Sequence, residues 1–265
     1  MKKHLLLGFA PFFQKELQEW KYQKRAAIAL FVLFPLLLSV GSVVILRLVS
    51  WQTGRALPPT DLTIAGSSFA SMFWVIPITL LLSIGVIPKE VDQGTLAWNL
   101  TKPLSRTAFL LGKWTTYTLL TWLIGVALIN LISFTVTAIG LGWSTPDFKI
   151  IVLSHLAALL TIAFWVLVCI FLGLILKDQA AIMAGAFALG LIGFLLPNLP
   201  TLLSFLYQFD ESFLETWRLI AQLYPSNTPD WFIQSSTPLK PLAYCLYVAG
   251  MAIATQFIFD RKEYS

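Results

Sequence analysis

Long apolar stretches alternate with short patches of charge along this chain. Apolar runs cover Ala26 to about Leu46, Ala65 to Ile87, Phe109 or Trp114 to about Leu141, Ile150 to Leu176, Ala180 to Leu196 and Leu242 to Phe259. Most are closed by polar or proline punctuation: Arg47, Pro88-Lys89-Glu90, Lys177-Asp178, Pro197-Asn198-Leu199-Pro200 and Asp260-Arg261-Lys262-Glu263. A bilayer core about 30 Å thick takes roughly 20 apolar residues in a helix, and several of the runs meet or approach that length. Barrel strands alternate apolar and polar residues over about ten positions; these runs are longer and uniform. Backbone polar groups in lipid must be satisfied within the segment, which a helix does. The pattern predicts an all-α, polytopic membrane protein with six transmembrane helices.

Two further stretches carry helical periodicity. Before the first span, Phe9, Phe13, Leu17 and Trp20 recur at helical spacing, with Lys15, Glu16, Gln18 and Glu19 largely on other faces. This predicts an amphipathic helix over residues 1–25, lying in the cytoplasmic interface. Between the fifth and sixth spans, residues 197–240 are too apolar for a solvated loop and still carry Asp210, Glu211, Glu215 and Arg218. They predict one or two short amphipathic helices at the outer surface. No internal repeat or second soluble domain breaks the pattern, so residues 1–265 form a single transmembrane domain.

Composition agrees. Of the residues, 57% are hydrophobic and only 12% charged, about half the charge of a soluble domain. The opening Met1-Lys2-Lys3-His4-Leu5-Leu6-Leu7 resembles a signal peptide, but Pro11 interrupts it and no small-residue cleavage site follows. It is read as retained. Cys169 and Cys245 fall inside apolar runs and read as core residues.

The basic residues set the orientation. With both termini in the cytoplasm, that side holds Lys2, Lys3, Lys15, Lys21, Lys24, Arg25, Lys89, Lys102, Arg106, Lys113, Lys177, Arg261 and Lys262. The other side holds Arg47, Arg55, Lys149, Arg218 and Lys240, a bias of thirteen to five. The +5 net charge therefore reflects membrane orientation and no nucleic-acid partner. The expected location is the cell (inner) membrane.

The spans are poor in chemistry. His155, near the outer end of the fourth span, reads as a hydrogen-bonded interfacial residue, and Asn130 as a partner for a neighbouring helix. No cluster at metal-ligand spacing is present, and no carboxylate lies clearly within a span. The phosphate-cradling loop needs Gly, four residues, then Gly-Lys-Ser/Thr; here Gly112-Lys113 is followed by Trp114 and preceded by Thr107 at the first Gly position. Small residues in the fifth span, among them Ala180, Ala184, Gly185, Ala188 and Gly193, suit close helix packing, inside one subunit or between two. Asn99-Leu100-Thr101 matches a glycosylation acceptor but falls on the cytoplasmic side.

The most informative stretch follows the second span, over 88–108. Lys102-Pro103 breaks a short helix patterned on Val91, Thr95 and Trp98, and Ser105 is a good N-cap for the helix that becomes the third span. A helix lying on the membrane there could dock on another protein, or the segment could be a simple solvated hairpin. Glu90, Asp92, Gly94-Thr95-Leu96, Pro103, Ser105-Arg106 and Gly112-Lys113 together resemble the signature of type-2 ABC permeases, with Asp92 where Glu is common. The resemblance implies a non-catalytic transmembrane subunit of an ATP-driven exporter. It implies a dimer with a second permease copy or sister permease, and a cytoplasmic ABC ATP-binding subunit that carries ATP and Mg; this chain binds no cofactor itself. Glu90, Asp92, Gly94, Thr95, Leu96, Pro103, Ser105 and Arg106 would then couple to the ATP-binding subunit. A non-transporting membrane assembly or anchoring factor would explain the same spans.

Overall fold

The computed structural model describes residues 6–23, 25–54, 75–96, 99, 104–141, 148–176, 178–203, 210–223 and 239–262. Every regular element among them is helical, with no strand. In chain order these are α1 (Phe9–Gln23), α2 (Arg25–Thr53), α3 (75–83), α4 (Pro88–Asp92), α5 (Arg106–Trp122), a π-helical turn (Leu123–Leu128), α6 (Ile129–Leu141), α7 (Phe148–Ile175), α8 (Gln179–Leu203), α9 (Glu211–Leu223) and α10 (Leu239–Arg261). Three stretches among the described residues are long and apolar enough to cross a membrane: Arg106–Leu141, Ile151–Ile175 and Leu242–Arg261.

Several helices run past the punctuation that the sequence offers. Helix α2 continues beyond Arg47 to Thr53. The Arg47 guanidinium donates to the Gly140 carbonyl at 2.6 Å, so the charge is anchored on α6 instead of ending the helix. One face of α2 rests on α6, where the Ser39 and Ser133 hydroxyls meet at 2.8 Å. Helix α8 passes through Pro197 and Pro200 to Leu203. A proline removes one backbone bond without forcing a membrane helix to end, because neighbouring groups can take up the freed carbonyl. The Leu196 carbonyl accepts from Trp217 Nε1 of α9 at 2.7 Å. Helix α9 lies inside the stretch expected to form an outer amphipathic helix. The second span is described only from Val75 onward.

The core lies between α5, α7 and α10. Trp165, Ile162, Ile170 and Leu174 of α7 and Phe109 of α5 are fully buried, as are Tyr244 and Phe259 of α10. Cys169 is buried and Cys245 exposed, and both are free thiols. The π-helical turn widens the backbone between α5 and α6. Around it Trp122 Nε1 donates to the His155 carbonyl at 3.2 Å, and Asn130 Nδ2 lies 3.5 Å from His155 Nε2. Asn130 thus contacts a neighbouring helix. Two small-residue faces of α8 behave differently: Ala186 is buried against α7, whereas Ala181, Ala184 and Ala188 are exposed.

One end of the bundle gathers elements distant in sequence. The backbone N–H of Ser105 donates to the Leu7 carbonyl at 3.2 Å. Arg106 Nη1 donates to the carbonyls of Phe259, Asp260 and Lys262 at 3.0, 2.7 and 3.3 Å. The Lys262 ammonium donates to the Leu174 carbonyl at the end of α7. The N-terminal helix, the 88–106 loop and the C-terminal end of α10 therefore share one end, which the positive-inside pattern also groups.

Candidate coupling site

The 88–106 segment is built as two helical pieces around a reversal. Pro88 opens α4, where its missing N–H costs nothing. The helix ends at Asp92, earlier than the Lys102-Pro103 stop, because Gly94 adopts φ +66°. Only glycine takes that left-handed conformation cheaply. Its N–H donates to the Val91 carbonyl at 3.0 Å, and helical backbone resumes at Thr95 and Leu96. Ser105 caps α5 as its position suggests: its Oγ accepts from the Ala108 N–H at 3.0 Å.

This fold divides the loop into an inward and an outward set. Glu90 is 7% exposed and Leu96 2%, so both point into the bundle. Val91, Asp92, Gln93 and Gly94 form an exposed tip. The pattern of Val91, Thr95 and Trp98 does not mark the buried face: Val91 is exposed, and Trp98 lies outside the described residues, as does Pro103.

Glu90 meets a lysine from the third-span helix and a glutamate from the N-terminal helix. Lys113 Nζ sits 2.5 Å from Glu90 Oε1 and 2.8 Å from Glu16 Oε1. The other Glu90 oxygen, Oε2, accepts from Thr95 Oγ1 and from Asn99 Nδ2, the latter at 3.2 Å. Lys113 and Glu16 are each only 3% exposed. Three charges from α1, α4 and α5 thus share one buried site with a formal excess of one negative charge. Burial pushes the Glu16 carboxyl above the ordinary carboxylate range, and the attraction of Lys113 only partly offsets it. Burial works the same way on Glu90, but the Lys113 charge and the hydrogen bonds from Lys113 and Thr95 outweigh it and hold that carboxyl below the ordinary range.

Aromatic packing braces the ion triad. Phe12 stands 5.1 Å from Phe109, and Phe109 stacks on Phe259 at 5.6 Å, linking α1, α5 and α10. The Phe12 ring covers Gly112, where a Cβ would come within 2.5 Å of it. The face of α1 turned to the bundle is therefore Phe12, Glu16 and Trp20, at successive intervals of four. Phe9, Phe13 and Leu17 are half-buried beside it, with Phe9 and Phe13 stacked at 5.8 Å. Glu16, expected on a polar face, is on the docking face because Lys113 neutralises it there.

The residue set that reaches the tip is thus distributed. Asp92 and Gly94 lie on the outer surface; Glu90, Thr95 and Leu96 connect it inward; Ser105 and Arg106 start α5 and tie it to α10. Lys113, Glu16, Asn99 and Phe12 complete the site and were not singled out as site residues from sequence. The charge pattern puts Lys113 on the cytoplasmic side, yet it lies two turns inside a helix beginning at Arg106. An ionisable residue inside an apolar helix points to function. The spacing of Phe12, Glu16 and Trp20 was the corresponding signal on α1.

This arrangement links the exposed loop tip to the interior of α5 and to α1. A family model described as ABC-2 family transporter protein matches residues 11–262. The chain belongs to that family. It is a membrane-embedded permease subunit of an ABC transporter; permeases of this family are non-catalytic subunits that associate with an ATP-binding subunit. No curated protein matches the permease. The match spans the N-terminal helix, the loop carrying Glu90 and the end of α10, so it covers every part of the triad and its bracing.

Proposed function

We propose that this permease forms the substrate pathway of an ATP-driven exporter, with six spans, as a dimer with itself or a sister permease. It resides in the cell (inner) membrane with both termini cytoplasmic. ATP and Mg bind the partner subunit, and closure of that subunit presses on the 89–106 segment. The observation that carries this reading is the Glu16–Lys113–Glu90 triad. It connects an exposed tip at Val91–Gly94 to the interior of a membrane-crossing helix through short, buried ionic contacts.

The energetics suit a transmission element. Separating a buried charge from its partner costs about 3–5 kcal/mol, so displacement of Glu90 moves Lys113 with it in preference to breaking the pair. Glu16 then carries the displacement to α1. Flexible surface ion pairs, worth at most about 1 kcal/mol, would yield instead.

The test is co-purification of the ATP-binding subunit with wild type, Glu90→Ala and a Gly94 substitution, followed by stimulated ATP hydrolysis and substrate movement in proteoliposomes. Loss of stimulation with retained assembly supports coupling through the triad. Unchanged assembly and unchanged stimulation in both variants would exclude it. Coupled hydrolysis without movement of any cargo class would identify a non-transporting membrane factor.

A further inference from the structure

A groove of about 440 Å³ runs along the outside of the bundle between α5, α7 and α10. Its floor is apolar: Leu110 and Trp114 of α5, with Leu167 and Ile170 of α7. Its outer flank is formed by Ile253 and Phe257 of α10, which are 71% and 54% exposed. In a membrane-embedded chain, a groove open on that flank faces lipid. From Asp260 to Ala252 it follows nine residues of α10, eight rises or about 12 Å at 1.5 Å each. One leaflet's share of the hydrocarbon core is about 15 Å, so the groove matches the depth that an acyl chain occupies.

The mouth has a different character. Arg261 lies with its guanidinium 3.9 Å from the Phe257 ring centre, which orients it at the groove's rim. Arg106 binds the Asp260 carbonyl beside it, and Lys262 caps α7 nearby. The Asp260 carboxylate accepts from Gln256 Nε2 at 2.9 Å. Among the described residues, three cations against one carboxylate leave this end of the groove positive. An apolar slot one leaflet deep beneath a cationic rim is complementary to a lipid with an anionic headgroup; basic sites between transmembrane helices recognise such headgroups.

We propose that this groove is a binding site for one anionic phospholipid, with an acyl chain along Leu110, Trp114 and Ile253 and its phosphate at Arg261. The site lies apart from the Glu16–Lys113–Glu90 triad but shares α5 with it. The inference rests on membrane embedding and not on export.

Native mass spectrometry of the purified permease tests it, with palmitoyl-oleoyl phosphatidylglycerol, palmitoyl-oleoyl phosphatidylcholine and the uncharged diacylglycerol added in turn. The expected result is one phosphatidylglycerol retained per chain, with phosphatidylcholine and diacylglycerol released more readily. Arg261→Gln, at an exposed position, should weaken phosphatidylglycerol retention about fivefold, the effect of one basic residue at an anionic headgroup. Arg261→Lys should largely restore the preference, and Ala252→Trp, which fills the slot, should abolish it. Equal retention of all three lipids, indifference to Arg261→Gln, or occupation of the groove by a second copy of the chain would overturn the proposal. None of these readouts involves ATP hydrolysis or transport, so their failure is separate from a failure of the export reading.

Discussion

Lys113 and Glu90 join the cytoplasmic loop to the third-span helix through an ion pair of 2.5 Å, buried on both sides. The same ammonium holds Glu16 at 2.8 Å. Because one cation serves two carboxylates, removing it is more disruptive than removing either acid. Lys113→Met should lower stability by about 3–5 kcal/mol, the cost of orphaning buried charges. Adding Glu16→Gln and Glu90→Gln should recover most of that loss, while stimulated ATP hydrolysis stays low. Thermal unfolding in detergent, read beside hydrolysis by the assembled transporter, separates the two effects. Parallel recovery of hydrolysis in the triple variant would show that the charges serve stability alone.

Gly112 and Phe12 give a second prediction, steric in origin. The ring lies where a Cβ on Gly112 would stand 2.5 Å from it. Gly112→Ala should push α1 off α5 and cost about 1–3 kcal/mol as an overpacked contact. The double variant Gly112→Ala with Phe12→Leu should be more stable than the single one. A cross-link between cysteines placed on α1 and α5 reports the displacement; equal cross-linking in wild type and Gly112→Ala would contradict it.

The two glutamates should respond oppositely to pH. Glu16 has a raised pKa, so the stability linked to it is fully present below the ordinary carboxylate value of 4.5 and is lost as pH rises through the raised one. Glu90 has a lowered pKa, so its contribution is present above 4.5 and is lost as pH falls through the lowered one. Lys89 and Glu19 line the same small polar cavity, and Lys15 pairs with Glu19 at 3.2 Å, so these charges also face the site. Unfolding temperature followed downward from about pH 7 should show Glu16→Gln removing the upper-pH component and Glu90→Gln removing the acid one. The reverse assignment would sink this account.

Arg106 closes the end of α10 by donating to the carbonyls of Phe259, Asp260 and Lys262. Arg106→Ala should release that end and cost about 1–3 kcal/mol, the value of a charged donor on orphan carbonyls. Arg106→Lys should recover only part of this, because the lysine ammonium ends one bond short of the Nη1 position that reaches these carbonyls. Hydrogen exchange over 255–262 is the measurement, and full protection in Arg106→Ala would contradict the capping role.

Much of the site was legible in the sequence, but its grouping was not. Gly94 announced a reversal, Ser105 an N-cap and the 90–113 pattern a family resemblance, because each depends on local backbone chemistry or on ordered spacing. Glu90 is a candidate site residue from the loop pattern, whereas its burial is not legible there, since nothing local shows that Lys113 will arrive from the next helix. Glu16 was placed on a polar face for the same reason: hydropathy counts a carboxylate as solvent-seeking unless its partner is known. Arg47 and Pro197 looked like helix ends, yet α2 and α8 pass them, because Gly140 anchors the arginine and α9 occupies a carbonyl near the proline.

By itself, the sequence determined that the chain is helical, embedded in a membrane and free of any phosphate-cradling motif. Those properties follow from the length of its apolar runs and from residue types, which no packing can change. Tertiary structure alone decided which residues make the candidate site. Glu16, Glu90 and Lys113 are far apart in the chain, and each would be costly to bury singly. They become one site only because α1, α4 and α5 converge, and a low-dielectric interior then makes their mutual attraction strong enough to hold the three elements together.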